Sequence, residues 1–197
     1  MDLPLFALHT VLYPGGHLPL RVFEDRYLRM MEDVLPEAPF AIAAIRYGQE
    51  VGGAYEPFPV GVRVTAEDHE LLDDGTYEVR VRALDRVRLL EPVAVRPYAR
   101  WRIEPYPEVG DAEPSVVAAA MVAAVSFLRA AEIEGEIERD PDAVHMSYTL
   151  AALTPLLPPD RQTFLEIEGP AERLELLSRV FRREAALLRA LRAHRER

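Results

Sequence analysis

The sequence has 197 residues, a formal net charge of −10 and 49% hydrophobic residues, which indicates a folded chain of one or two domains and excludes intrinsic disorder. It contains no cysteine, and all 23 basic residues are arginine. The absence of cysteine excludes disulfides and thiol catalysis within this sequence. The absence of lysine excludes the P-loop lysine, Schiff-base chemistry and Ser-Lys hydrolysis.

The first hundred residues are predicted to be mainly β-strands, since apolar runs or strict alternation recur between turn signals. One helix interrupts them over residues 24–35, where apolar side chains share one helical face and Pro36 ends the pattern. Asp73-Asp74-Gly75 predicts a hairpin turn, and residues 83–85 break the alternation as a bulge would. The strands are predicted at residues 3–8, 18–22, 40–45, 60–66, 77–89 and 99–104.

The second half is predicted to be helical. Residues 105–114 are rich in proline, glycine and acidic residues and are interpreted as a linker. Helices are expected over residues 114–131, from Asp140 as N-cap with Pro141 in the first turn, from Pro158, and over residues 170–194. The predicted class is α+β, with a β-rich subdomain at residues 1–108 and a helical subdomain at residues 113–197.

The sequence offers no convincing set of residues for catalysis. The five histidines lack the i, i+4 spacing of paired metal ligands, and no Gly-x-Ser-x-Gly elbow accompanies His145 and Ser147. The acidic run at residues 132–142 lacks the order of an EF-hand loop, so a solvated loop is favoured over a cation site. We expect no enzyme activity, no catalytic residue, no metal and no cofactor.

Aromatic residues in or beside turns are the candidate binding residues. Tyr13, Tyr47, Tyr55 and Phe58 could line a groove for an apolar peptide segment, or they could simply pack their own loops. A basic strand face could bind nucleic acid, but residues 1–108 carry 12 arginines against 18 acidic residues, so cross-strand pairing with Glu78, Glu91 and Glu104 is favoured. Residues 172–197 carry eight arginines and four glutamates, typical of a solvated helix end or of a surface for an acidic partner.

The order of these signals resembles the Lon protease N-terminal (substrate-binding) domain family over essentially the whole chain. Ala83 departs from the pattern, since the family usually has glycine at or near that place. The resemblance is carried by Leu3-Pro4-Leu5-Phe6, Val11 to Gly16, Leu18-Pro19-Leu20, Phe23-Glu24, Pro59 to Val62, Asp74 to Tyr77, Val79-Arg80-Val81, Arg86-Val87-Arg88, Tyr98 to Trp101, Glu104-Pro105, Leu157-Pro158, Gln162, Leu165-Glu166 and Glu172-Arg173-Leu174.

The resemblance implies a PUA-like β pseudo-barrel followed by a helical bundle. It implies a stand-alone bacterial member without ATPase and protease domains, which binds exposed apolar segments of unfolded or partner proteins in a groove between the β part and the helices. A separate protease could receive what it binds. RNA binding, by analogy with PUA-like folds, is the alternative.

Further expectations concern setting and assembly. The start of the sequence lacks a signal-peptide pattern, and no apolar run reaches about 18 residues, so we expect a cytoplasmic protein without a membrane span. The last helix could form a homodimer. Seventeen prolines and few amide side chains favour a heat-adapted source.

Overall fold

The computed structural model describes residues 1–195. Strands dominate up to residue 105 and helices follow, which confirms the predicted α+β class. In chain order the elements are β1 (Asp2–Leu8), β2 (His17–Val22), α1 (Asp25–Val34), β3 (Phe40–Gly48), β4 (Tyr55–Pro57), β5 (Val60–Leu71), β6 (Tyr77–Ala94), β7 (Arg100–Pro105), α2 (Pro114–Ala131), α3 (Ala143–Ala152), α4 (Pro158–Glu166) and α5 (Pro170–Arg195).

Five strands close into a barrel. The hydrogen-bonded order is β1-β7-β6-β5-β3, and β1 also pairs in parallel with β3, with Leu5 opposite Ala41. This parallel pairing turns an open sheet into a ring, which removes the exposed sheet edges. The barrel expected from the family resemblance is therefore confirmed.

The barrel interior is filled by small and branched apolar side chains, among them Leu5, Ala43 and Ile103. Gly61 of β5 lies where a side chain would not fit, because an ideal Cβ there would be 2.4 Å from the carbonyl oxygen of Ile42. Glycine at this position is what allows β5 to approach β3 so closely.

The β5–β6 hairpin is the longest strand pair and extends beyond the ring, where β2 pairs with β6 from His17 to Val22. Its turn contains Gly75, whose φ of 80° favours glycine. The register passes from the Arg63–Asp85 pair to the Val64–Ala83 pair, so Leu84 is the extra residue of a bulge. The bulge predicted at residues 83–85 is confirmed.

The described residues divide into two compact units: unit 1 comprises residues 1–107 and 157–166, and unit 2 comprises residues 108–156 and 167–195. The structure thus differs from the expected helical subdomain at residues 113–197, because α4 belongs to unit 1. The reason is hydrogen bonding: the Gln162 amide donates to the carbonyl of Val60 at 2.9 Å, and Arg86 donates to the carbonyl of Leu165 at 2.9 Å.

Unit 2 is organised around Arg173, whose side chain is fully buried. Its guanidinium donates to the Ser147 hydroxyl at 2.7 Å and to the Ile167 carbonyl at 2.9 Å, and it forms an ion pair with Glu108. It also lies over the Tyr148 ring, 4.0 Å from the centroid. A buried arginine is tolerated only with such partners.

Helix α3 begins two residues later than predicted. Asp142, not Asp140, is its N-cap, and its carboxylate accepts from the backbone N–H groups of Val144 and His145. Asp140 instead lies with a carboxylate oxygen 3.3 Å from Nδ1 of His145, and it accepts from the backbone N–H of Asp142. These contacts confirm that the acidic residues next to His145 act in local capping.

Within residues 1–195, one helix, α2, is long and apolar enough to cross a membrane by length and composition. Core helices of water-soluble proteins pass the same test, and α2 packs one face in unit 2. The expected absence of a membrane span therefore stays a prediction.

Arg86→Lys should destabilise the protein, because one ammonium cannot replace a guanidinium that donates to both Leu165 and Pro107. Leaving one of these carbonyl groups unpaired should lower the free energy of unfolding by about 2 kcal/mol. Denaturant unfolding followed by circular dichroism measures the change. The control is Arg88→Lys on the same strand, whose half-exposed ion pair with Glu104 should matter by less than about 1 kcal/mol. Equal effects of the two substitutions would contradict the assignment.

Candidate protein-binding site

A cleft of about 190 Å³ in unit 1 lies alongside β2. We call it the β2 cleft; the side chains that define it are Phe6, Leu20, Phe23, Tyr27, Glu50 and Val51. They come from β1, β2, α1 and two connecting segments, so the barrel brings together residues that lie far apart in sequence. Its lining mixes apolar side chains with the carboxylate of Glu50, and a concave cleft of this kind is a candidate ligand site.

The floor of the β2 cleft is aromatic and its rim is apolar. The rings of Phe6 and Tyr27 stack with centroids 4.0 Å apart, and both side chains are buried. Phe23 and Val51, on the rim, remain 54% and 55% exposed. When another apolar segment covers large apolar side chains that are exposed next to a cleft, their removal from water favours binding.

Residues 48–54, the cleft loop, carry Val51 and are held by an ionic network. Arg26 forms an ion pair with Glu24 at 3.0 Å and donates to the Glu50 carbonyl at 2.8 Å. The Glu24 carboxylate also accepts a hydrogen bond from the backbone N–H of Gly52 at 2.9 Å. These bonds fix the position of the Val51 rim before any ligand arrives, which lowers the entropic cost of binding.

Beneath this network, Tyr55 and Tyr27 form a neutral layer. The Arg26 guanidinium lies 4.6 Å from the Tyr27 ring centroid and 5.7 Å from that of Tyr55. Tyr27 accepts a hydrogen bond from the backbone N–H of Ala7. Burial is the main cause that raises the pKa of both Tyr27 and Tyr55 above the usual tyrosine value. Both rings therefore stay uncharged at neutral pH.

The four predicted peptide-binding aromatics have different surroundings. Tyr55 is half-buried next to Tyr27, and Tyr47 is exposed at the end of β3, where it lies opposite Glu56. Phe58 is half-buried, and its backbone N–H donates to the carbonyl of Ala44. Their role in peptide binding stays a prediction.

Tyr13 differs from the expectation of an exposed loop aromatic. Its side chain is buried, its hydroxyl donates to the carbonyl of Arg161 at 2.8 Å, and the Arg161 guanidinium lies over its ring. The physical reason is that α4 belongs to unit 1 together with the barrel, and a carbonyl of α4 accepts the hydrogen bond from the Tyr13 hydroxyl. Tyr13 thus serves the packing of unit 1.

Sequence reasoning missed Phe23 and Val51. The available signal was an apolar residue directly before a helix start, and a valine beside Gly52-Gly53 in a polar loop. An apolar residue in such a loop has no strand or helix partner to bury it, so it marks a candidate contact residue. That both residues line one cleft could not be read without the fold.

Three arginines of the basic strand face form ion pairs with acidic neighbours. Arg102 pairs with Glu91 at 2.7 Å, Arg88 with Glu104 at 3.9 Å and Arg82 with Glu67 at 2.9 Å. This confirms the interpretation of cross-strand pairing for Glu91 and Glu104. In the part of the chain that the structure describes, no group of three or more His, Asp or Glu side chains is placed to hold a metal ion.

The whole chain, including the elements that build the β2 cleft, has known relatives. The family profile described as ATP-dependent protease La (LON) substrate-binding domain matches residues 2–183. The chain belongs to this family. The profile is that of the substrate-binding domain, not of an ATPase or protease domain, and membership supports a role in substrate recognition.

The curated relatives are full Lon proteases. The Lon protease of Heliobacterium modesticaldum is 25% identical over 95% of this chain and 24% of its own length. Lon protease 1 of Herpetosiphon aurantiacus is 22% identical over 94% of this chain and 24% of its own length. The chain thus spans about a quarter of the length of these relatives.

Solved structures agree with the fold. The Lon N-terminal domain protein from Xanthomonas campestris is 28% identical, has a TM-score of 0.67, and is matched over 90% of this chain and 96% of that one. The N-terminal domain of the Mycobacterium avium complex Lon protease has a TM-score of 0.68 over 92% of this chain and 98% of that one, at 17% identity. This second likeness shows the fold alone.

The buried tyrosines predict a loss of stability at alkaline pH. Because burial raises the folded-state pKa of Tyr27 and Tyr55 above 10.0, the unfolded chain releases these protons first. The free energy of unfolding should therefore be constant up to about pH 9 and fall above about pH 10. The sequence has no Lys or Cys, so tyrosines dominate this titration range. Denaturant unfolding across this range should give a smaller fall for Tyr55→Phe; an unchanged fall would contradict the burial of that hydroxyl.

Proposed function

We propose that this chain recognises exposed apolar segments of other proteins through the β2 cleft and catalyses no reaction itself. The observation that carries the proposal is the pair of exposed rim residues, Phe23 and Val51, beside a buried aromatic floor. Membership of a substrate-binding domain family supports the same reading.

The size of the cleft sets the type of segment. A volume of about 190 Å³ accepts one or two large side chains, not a folded surface. Covering both rim residues would contribute about 2–4 kcal/mol by burial of apolar area. Binding of a single segment is therefore weak and tolerant of sequence, which suits unfolded chains that expose many such segments.

A protease is the proposed recipient of the bound proteins. The relatives that share this domain are named Lon protease, and the domain makes up 24% of the length of the two cited above. We infer that recognition by this chain would select proteins for degradation, whichever polypeptide carries the proteolytic domain.

Phe23→Asp should weaken the binding of an unfolded protein. The probe is a fluorescein-labelled, reduced and carboxymethylated lactalbumin, and binding is followed by fluorescence anisotropy. A charge on the rim removes apolar area and places a carboxylate against the incoming segment, so the dissociation constant should rise at least about tenfold. The matched control is Val95→Asp, since Val95 is 73% exposed in unit 1 but does not line the cleft.

Two results would contradict the proposal. One is the absence of saturable binding to the unfolded probe by the unsubstituted protein. The other is a Phe23→Asp variant that binds as well as Val95→Asp while both retain the circular dichroism spectrum of the unsubstituted protein.

A further inference from the structure

Unit 2 has its own groove, of about 520 Å³, along the outer face of α2. We call it the α2 groove. Apolar side chains form its floor and arginines form its rim; they are Ala118, Met121, Val122 and Val125, with Arg129, Arg139 and Arg189. The α2 groove and the β2 cleft have no lining residue in common, so the groove is a second, independent candidate site.

The floor is a regular apolar stripe. Ala118, Met121, Val122 and Val125 are spaced i, i+3, i+4 and i+7, which places them on one helical face. Val122 in its centre is 70% exposed. A helical stripe of this spacing is normally covered by another element.

A different face of α2 already packs inside unit 2. Ala120, Ala124 and Phe127 are buried, and the Phe127 ring lies 5.5 Å from that of Phe181 in α5. The helix therefore has two apolar faces. Only 33% of its residues are fully buried, although a helix that is apolar all round is normally covered on every side.

The positive charge of the rim comes from three arginines, each on a different segment of the chain. Arg129 lies at the end of α2, Arg139 precedes α3, and Arg189 belongs to α5. The Arg189 guanidinium donates to the Ser126 hydroxyl at 2.6 Å, which fixes it beside the groove. This cluster stands out in a chain whose net charge is −10.

We propose that the α2 groove docks an acidic amphipathic helix of a partner protein. The apolar stripe of such a helix would cover Val122 and its neighbours, as in other helix-in-groove complexes. Glutamate or aspartate beside that stripe would meet the three guanidinium groups, which bind carboxylates with two parallel hydrogen bonds. The match of apolar floor and cationic rim defines the partner's chemistry.

A second copy and a lipid surface fit less well. Pairing two α2 grooves would bring two sets of three arginines into one interface, and like charges across an interface are unfavourable. An anionic membrane is a broad surface, and the segment beside Arg139 carries acidic residues at 132, 134, 136 and 138 that disfavour it. A single helix needs to contact only the apolar floor and the three arginines that line the groove.

The test uses two labelled peptides of about 18 residues, long enough to span the groove. Both carry leucine at i, i+3, i+4 and i+7; one has glutamate beside the stripe and the other has lysine. Fluorescence anisotropy measures binding to the full chain, to Val122→Asp, to the Arg129→Glu/Arg139→Glu pair and to the Arg179→Glu/Arg182→Glu pair. Arg179 and Arg182 are exposed arginines of α5 that do not line the groove, so reversing both changes the net charge equally and is the matched control.

The glutamate peptide should bind at least about tenfold more tightly than the lysine peptide. Val122→Asp and Arg129→Glu/Arg139→Glu should each weaken it at least about tenfold, and Arg179→Glu/Arg182→Glu should not. Equal binding of the two peptides, or no binding, would overturn the proposal. So would self-association, or binding of vesicles of phosphatidylcholine and phosphatidylglycerol, that Val122→Asp abolishes while the glutamate peptide fails to bind.

Discussion

Parallel pairing of β1 with β3 is the constraint on which unit 1 depends. Two parallel strands cannot be joined by a tight turn, so the chain between them must cross over, and here that crossover contains β2 and α1. The crossover places Tyr27 of α1 against Phe6 of β1. Closure of the barrel and the aromatic floor of the β2 cleft are therefore consequences of the same strand pairing.

In each unit a buried arginine binds residues next to the positions where the chain enters or leaves that unit. In unit 1, Arg86 binds the carbonyls of Pro107 and Leu165, close to where the chain leaves this unit for the first and second time. In unit 2, Arg173 binds Glu108 and the carbonyl of Ile167, where the chain enters. A planar guanidinium presents five donors in a rigid fork and can join two segments in a fixed geometry, which the single ammonium of lysine does not reproduce. Each unit thus has an internal tie between segments distant in sequence.

Local patterns predicted the strands other than β4, the hairpin turn and the bulge at Leu84, because alternation and turn chemistry act between neighbouring residues. The three-residue strand β4 lies in a segment that its glycines and prolines marked as a loop, and it was missed. That α4 belongs to unit 1 was not predictable, because it depends on the hydrogen bond from the Gln162 amide to the carbonyl of Val60, a residue 102 positions away. The four predicted binding aromatics do not line the β2 cleft, and their role in binding stays a prediction. Burial of Tyr13 and exposure of Phe23 follow from which elements cover them, and no local pattern encodes that.

Contact between the β2 cleft and apolar segments of other proteins can be captured by site-specific photo-crosslinking. For this measurement p-benzoylphenylalanine replaces Phe23 in one sample and Val95 in another, and each is irradiated with the unfolded lactalbumin probe. We expect a crosslinked product from position 23, competed away by unlabelled unfolded protein, and little or none from position 95. Equal products from both positions, or none from position 23, would contradict this expectation.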